Sequence, residues 1–132
     1  LIVAAREGNI DMTRLLLDRG ADVNLPVSGD GAPLIMAARE GHISIVELLL
    51  DRGADIELAV PGDENALIQA SAAGQFATVQ LLVARGANVN ARIWADHLRN
   101  RGGGEWRTPL SMALRGNHRE VAAYLRGVGA IE

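Results

Sequence analysis

The feature that most limits the fold of this chain is an internal repeat of 33 residues. The segment Leu-Ile-Val-Ala-Ala-Arg-Glu-Gly at 1–8 recurs as Leu-Ile-Met-Ala-Ala-Arg-Glu-Gly at 34–41 and as Leu-Ile-Gln-Ala-Ser-Ala-Ala-Gly at 67–74. A fourth copy opens with Thr-Pro-Leu-Ser-Met-Ala at 108–113, and ten extra residues precede it. A sequence with this period predicts a stack of similar units, each of which packs on its neighbours.

Each copy contains two stretches with helical periodicity. In the second copy, Leu34, Ala37 and Ala38 give a first helix one small apolar face. Gly41 follows in a position that suits the left-handed backbone at a helix end, and Asn117 takes this place in the fourth copy. The second stretch has an apolar stripe at Ile43, Val46, Leu49 and Leu50. The glycines predicted to end the second helices are Gly20, Gly53, Gly86 and Gly129.

Composition excludes several classes of protein. The chain contains no Cys, so a disulfide framework, a thiolate metal site and a cysteine nucleophile are all excluded. No apolar run approaches the ~18 residues that a membrane span requires, so we expect no membrane insertion. The formal net charge is −3, which argues against a nucleic-acid partner. Residues 91–132 nevertheless hold seven Arg against four acidic residues, so the last third is locally basic.

The two ends of the predicted stack differ. The fourth copy has Arg119 and Arg126 where earlier copies have apolar residues, which is typical of a terminal unit that faces water. The first copy has no such substitution. We therefore expect the chain to be a fragment of a larger protein that continues upstream of Leu1. The copies cover about 1–29 (incomplete), 30–62, 63–95 and 105–132 (capping), with the insertion within 91–107.

No residue pattern predicts catalysis, a metal site or a cofactor. His42 and His118 occupy equivalent positions, where Asn9 and Gln75 also occur, so we interpret this position as one of capping or turn hydrogen bonding. His97 has no second ligand at metal spacing. Acidic residues in the turns, such as Glu57 and the Asp63–Glu64 pair, are expected to form a solvated rim.

The segment 91–107, called the finger below, holds both tryptophans of the chain and four of its arginines. Trp94 and Trp106 have two interpretations that are compatible with each other. They pack on each other or on the neighbouring hairpin and staple a long loop, or they act with Arg as recognition residues, because both types dominate interface hot spots. Stacking on nucleic acid is the less favoured third interpretation, because the rest of the surface is acidic.

These segments together resemble the ankyrin repeat family over essentially the whole chain. The resemblance rests on Ala32-Pro33-Leu34, Thr108-Pro109-Leu110, Gly41-His42, the Leu triplets and the Gly-Ala-Asp-Val-Asn segment. The His of the family's Thr-Pro-Leu-His start is missing from every copy. The resemblance implies an all-α solenoid of stacked helix-turn-helix pairs with β-hairpin-like turns. It also implies a non-catalytic module that binds another protein, most often in the cytoplasm.

The resemblance also implies where a partner binds, namely the hairpin tips and the exposed edge of the first helices. Carried onto this chain together with the finger, these surfaces give Asp30, Arg39, Glu40, Asp63, Glu64, Trp94, Arg99, Arg101, Trp106 and Arg107. The resulting groove is expected to be acidic at its turns and basic at the finger. A partner with a basic segment followed by an acidic or aromatic one would suit it.

Two alternatives to a protein-binding module remain open at this point. Residues 61–67 and 105–110 resemble ankyrin extensions of bacterial membrane zinc peptidases of the beta-lactam-sensor type, which would imply a sensory or regulatory extension in a bacterial envelope. The metal motif of those peptidases is not in this chain. The other alternative is a purely structural spacer, for which substitutions in the groove would be silent. The oligomeric state and the partner are not predicted.

Overall fold

Four helix pairs form the body of the protein, and their starts follow from local sequence. The structure, a computed structural model, describes residues 1–27, 29–62, 64–95 and 104–131. Pro33 and Pro109 stand at the first position of their helices, where a missing N–H costs nothing. Asn65 caps another first helix by accepting the N–H of Ile68 at 2.9 Å. The helices are α1 (Ile2–Arg6), α2 (Ile10–Asp18), α3 (Pro33–Glu40), α4 (Ile43–Asp51), α5 (Ala66–Ala72), α6 (Phe76–Ala84), α7 (Pro109–Arg115) and α8 (Arg119–Gly127).

The pairs stack in two layers, as predicted for an all-α repeat solenoid. The first helices α1, α3, α5 and α7 pack on one another in chain order, and the second helices α2, α4, α6 and α8 form the outer layer. The turns between pairs carry single antiparallel bridges, at Val27–Gly31 and Val60–Glu64. The finger contains the paired strands β1 (Ile93–Ala95) and β2 (Glu105–Arg107).

The burial pattern confirms the predicted apolar positions and extends them. Leu34, Ala37 and Ala38 are buried as predicted, but Ile35 and Met36 on the same helix are buried as well. The prediction of one small apolar face was therefore wrong for α3. The helix is covered on several sides because it packs against α1, α4 and α5 together. In the outer layer Val46 and Leu49 are fully buried, while Ile43 is partly exposed.

The turn glycines adopt the left-handed backbone that the sequence predicts, and Asn117 does so at φ 60°. Two separate constraints require glycine at position 41. Its φ is 76°, which strains any residue with a Cβ. A methyl group on it would also lie 2.5 Å from Oε1 of Gln75, which crosses from the next repeat. The glycine therefore admits the side chain that joins two repeats.

The position that follows the turn between the two helices of each copy, held by Asn9, His42, Gln75 and His118, was predicted to form capping or turn hydrogen bonds. The structure corrects this prediction for three of the four copies. Only Asn9 caps its own helix, by accepting the N–H of Met12 at 3.0 Å. The other three reach across the interface and donate to a backbone carbonyl of the preceding repeat, because the glycine turn opens a path to it. These bonds run from His42 Nε2 to Arg6 O (2.9 Å), from Gln75 Nε2 to Arg39 O (3.1 Å) and from His118 Nε2 to Ala72 O (2.9 Å).

Candidate partner-binding surface

The described ends of the finger, β1 and β2, form a two-stranded antiparallel ribbon whose two faces differ. Ile93 pairs with Arg107, Trp94 with Trp106 and Ala95 with Glu105. Because successive side chains of a strand point to opposite faces, the tryptophans share one face and the other two pairs share the opposite face. We call these the tryptophan face and the ionic face. Ala95 is buried, so the ionic face is the one turned towards the repeats.

The tryptophan face presents aromatic surface to solvent. Trp94 and Trp106 are 51% and 53% exposed. Their rings meet edge to face, with centroids 5.3 Å apart and an interplanar angle of 70°, which is a favourable aromatic geometry. The guanidinium carbon of Arg92 lies 4.7 Å from the centroid of the Trp106 ring, within the range of a cation–π interaction. The tryptophans therefore pack on each other, as one of the two compatible interpretations predicted, and half of each ring stays exposed.

A small cleft adjoins the tryptophan face. It has a volume of about 240 Å³ and lies between Trp106, Thr108, Ser111 and Ile131. The hydroxyls of Thr108 and Ser111 are engaged in a capping box at the start of α7. Arg92 also lines this cleft, and no salt bridge joins it to a carboxylate in the part of the chain that the structure describes. The groups of this cleft that a ligand or partner could contact are therefore the guanidinium of Arg92 and the ring of Trp106.

The ionic face is neutralised internally. Arg107 Nη1 donates to Glu64 Oε1 at 2.6 Å, and Arg107 Nε donates to Glu105 Oε1 at 3.2 Å. Arg115 on α7 donates to Glu105 from both of its terminal nitrogens, at 2.6 Å from Nη1 to Oε1. This hydrogen bonding raises the pKa of Arg115 above its ordinary value. The network ties β2 to both the preceding turn and α7.

Glu64 was predicted to lie in a solvated rim of acidic residues, and this prediction is wrong. Its side chain is only 2% exposed, and its second oxygen, Oε2, accepts the amide N–H of Gln69 at 2.8 Å. The residue has a left-handed backbone at φ 51° and bridges to Val60. A buried carboxylate requires partners, and Arg107 supplies one from 43 residues later in the chain. The sequence signals that were available are an acidic residue in a turn and an arginine in the insertion, and neither shows that the two meet.

The remaining predicted site residues are more dispersed. Asp30 is exposed in the first turn, and Arg39 pairs with the neighbouring Glu40 at 3.3 Å on the surface of α3. Within the described residues, no hydrogen bond or ion pair joins these three to the finger. Asp63, Arg99 and Arg101 were also predicted and lie outside the residues that the structure describes. The structure therefore brings together Glu64, Arg107 and the two tryptophans.

Two further observations bear on the chemistry of this surface. No group of three or more His, Cys, Asp or Glu side chains is placed to hold a metal ion in the described ranges. Among the same residues, no helix has the length and apolar character needed to cross a membrane.

Comparison with known proteins identifies the family. A family model described as ankyrin repeats (3 copies) matches residues 1–93, and another described as ankyrin repeats (many copies) matches residues 67–126. No curated protein matches the chain. Ankyrin repeats generally mediate protein–protein interaction and are typically non-catalytic. The two matches extend over all four helix pairs, and the chain belongs to the ankyrin repeat family.

Proposed function

We propose that this ankyrin domain binds a protein partner through the tryptophan face of the finger, with the hairpin tips and the concave edge of the first helices as a secondary surface. The observation that carries the proposal is the exposure of Trp94 and Trp106, about half of each residue. Tryptophan is enriched among the residues that dominate binding energies, and it loses little conformational entropy on contact. Aromatic surface already fixed by an edge-to-face contact is preorganised for association.

The ionic face supports the same proposal. Glu64 and Glu105 both accept hydrogen bonds from Arg107, and Arg115 in turn donates to Glu105, so the strand that carries Trp106 is tied to the preceding turn and to α7. Arg107 was predicted to contact the partner, but its charge is already compensated. We therefore assign Arg107 a positioning role, and we assign Arg92, together with the predicted Arg99 and Arg101, the positive charge that meets the partner. A partner that presents acidic and aromatic or aliphatic side chains fits this combination.

The secondary surface retains the other predicted residues. Asp30, Arg39, Glu40 and Asp63 are proposed to contribute at its edge, where exposed charges mainly influence the association rate and its salt dependence. Neither the contacts of the described residues nor the comparisons favour the zinc-peptidase extension, and we do not propose it.

Affinity capture tests this function. Residues 1–132 and a variant with residues 95–104 deleted are immobilised at equal density, and the proteins retained by each are quantified together. The proposal predicts at least one partner that the deletion no longer retains. A second variant, with Arg39→Ala and Glu40→Ala, should keep that partner with a loss of less than about fivefold. Equal retention by the deletion variant, once circular dichroism shows that it is folded, would contradict the proposal.

A further inference from the structure

Arg92 is a cation that belongs to the finger and not to the repeat. The equivalent positions 33 and 66 residues earlier hold Ala59 and Pro26, so the stacking of repeats does not require a positive charge here. Arg107 and Arg115, in the ionic network, are both paired with carboxylates. The guanidinium of Arg92 has no hydrogen bond or ion pair in the described part of the chain. The tryptophan face therefore carries a positive charge that these residues leave uncompensated.

The side chain of Arg92 is also held in position. Its guanidinium carbon lies over the Trp106 ring, 4.7 Å from the ring centroid. This stacking engages the flat face of the guanidinium, whereas its five N–H groups lie in its plane and point outwards at its edge. The edge can therefore donate hydrogen bonds while the stack fixes the group. A fork of donors that is oriented in advance matches the two oxygens of a carboxylate.

The cleft beside this arginine, called the Arg92 cleft below, has room for one side chain. Its volume of about 240 Å³ is smaller than the roughly 300–1,000 Å³ of pockets that enclose a small-molecule ligand. Its other polar side chains are already bonded. The amide of Asn90 joins two backbone groups that follow α8, and Thr108 and Ser111 form the capping box. Among the described residues no carboxylate lines the cleft, so an anion that enters meets no like charge.

The charge of the cleft favours a carboxylate over a phosphate. Proteins that recognise phosphorylated segments bring several arginines together, because a phosphate carries nearly two negative charges. Arg92 is the sole basic side chain among the described residues that line the Arg92 cleft. A carboxylate, with one charge and two oxygens, is the matching group.

The spacing of Arg92 and Trp94 indicates a second contact. The two residues are separated by one position in the chain, and both side chains contact the Trp106 ring, so both lie on the tryptophan face. In an extended segment, alternate side chains point to the same side and lie about 7 Å apart. An extended partner segment that runs along β1 can therefore place one side chain in the Arg92 cleft and the next but one on the two rings.

We propose that the tryptophan face recognises an extended acidic segment, in which a Glu or Asp is separated by one residue from an aliphatic or aromatic residue. The carboxylate enters the Arg92 cleft and accepts hydrogen bonds from the edge of the guanidinium. The apolar side chain covers the exposed parts of Trp94 and Trp106. This inference rests on the proposed function, because it uses the same surface, and it adds the class of partner.

The test uses three peptides with blocked ends and the full chain of residues 1–132. The first is Gly-Leu-Ser-Glu-Ser-Leu-Gly, which offers the spacing in both chain directions, and the others replace its Glu by Gln or by phosphoserine. Trp94 and Trp106 are the two tryptophans of the chain, so intrinsic fluorescence reports on this surface directly. We expect the Glu peptide to bind at least about fivefold more tightly than the Gln peptide. The difference should shrink as NaCl is added.

Arg92→Gln should remove this preference, so that the Glu and Gln peptides bind that variant equally. Arg119→Gln on α8, which replaces another exposed arginine, should keep it. Equal binding of the two peptides by the unmodified chain would overturn the inference. So would tighter binding of the phosphoserine peptide than of the Glu peptide, or an unchanged fluorescence with every peptide up to about 5 mM.

The outcome for the proposed function is read separately, from affinity capture. If deletion of residues 95–104 abolishes the retention of a partner but the peptides show no preference for Glu, the proposed function stands and the acidic segment is rejected. Equal retention of partners by the folded deletion variant contradicts the proposed function whatever the peptides show.

Discussion

Two aromatic pairs of similar geometry occur among the described residues, and they differ in their exposure to solvent. Phe76 and Tyr124 meet edge to face between α6 and α8, with centroids 5.8 Å apart and an interplanar angle of 83°. Trp94 and Trp106 meet in the finger at 5.3 Å and 70°. The first pair packs against the main core, whereas each ring of the second pair is half exposed.

This difference in exposure is the basis of the roles that we propose for the two pairs. Aromatic area that is removed from water on folding stabilises the fold. Aromatic area that remains in water after folding is available to be removed by a partner. The Phe76–Tyr124 pair therefore joins the third and fourth repeats, and the tryptophan pair is the proposed binding surface. The following predictions test this division, beginning with the largest expected effect.

Glu64→Ala tests the ionic contact that holds β2, the strand of Trp106, against the preceding turn. Among the described residues, the substitution leaves Arg107 with Glu105 alone as its acidic partner, and it removes the hydrogen bond between Glu64 and Gln69. We expect the free energy of unfolding to fall by about 2–4 kcal/mol, measured by urea denaturation. Tryptophan fluorescence should also change, because β2 loses its contact with the preceding turn while its contact with α7 remains. Glu40→Ala is the matched control, since it removes an exposed pair and should cost less than about 0.5 kcal/mol.

Tyr124→Ala tests the pair that packs against the main core. Loss of a half-buried ring between two repeats should lower the free energy of unfolding by about 2 kcal/mol. Tyr124→Phe keeps the edge-to-face contact and should cost less than about 1 kcal/mol. Retention of the partner should not change in either variant while it is folded. A partner lost from folded Tyr124→Phe would place binding on the outer helices instead.

Trp106→Ala tests the exposed member. Because half of the ring is already in water, its removal should lower the free energy of unfolding by less than about 1.5 kcal/mol. Binding of the captured partner should weaken at least about fivefold, the usual threshold for a residue that contributes to an interface. A loss of stability as large as that of Tyr124→Ala would show that the ring is mainly a structural staple.

Arg92→Ala has the smallest expected effect on stability. An exposed cation–π contact contributes about 0.5–1 kcal/mol at most, so thermal unfolding should hardly change. Its proposed role appears in the salt dependence of binding, which should become weaker as one positive charge is removed. Arg119→Ala on α8, which is also exposed, is the control. An equal change in salt dependence for both variants would indicate a general charge effect rather than a contact at the finger.

The repeating part of this fold could be predicted from sequence because each position is represented several times. Aligning the copies predicts the helix ends at Gly41 and Asn117. It also predicts the exposed arginines of the fourth repeat, Arg119 and Arg126. The acceptors of His42, Gln75 and His118 could not be predicted in this way. Repetition shows that a position is constrained, but not that its partner carbonyl lies in the preceding repeat.

The finger was less predictable because it occurs once. Its residue types predicted that Trp94 and Trp106 pack together or serve recognition, and the first of these is confirmed. The pairing of Glu64 with Arg107 could not be predicted, because it depends on where β2 lies relative to the turn before α5. That single contact is the reason why we propose Arg107 as a positioning residue, and it accompanies the burial of Glu64, which was predicted to be solvated.

The most direct test of the division between the two pairs compares Trp94→Ala/Trp106→Ala with Tyr124→Ala in one experiment. Both variants are measured for thermal unfolding and for retention of the partner that depends on residues 95–104. The division predicts that the tryptophan variant keeps its Tm within a few degrees and loses at least about tenfold in binding, while Tyr124→Ala loses stability and keeps binding. Partner retention by the folded tryptophan variant that equals that of the unmodified chain would contradict it.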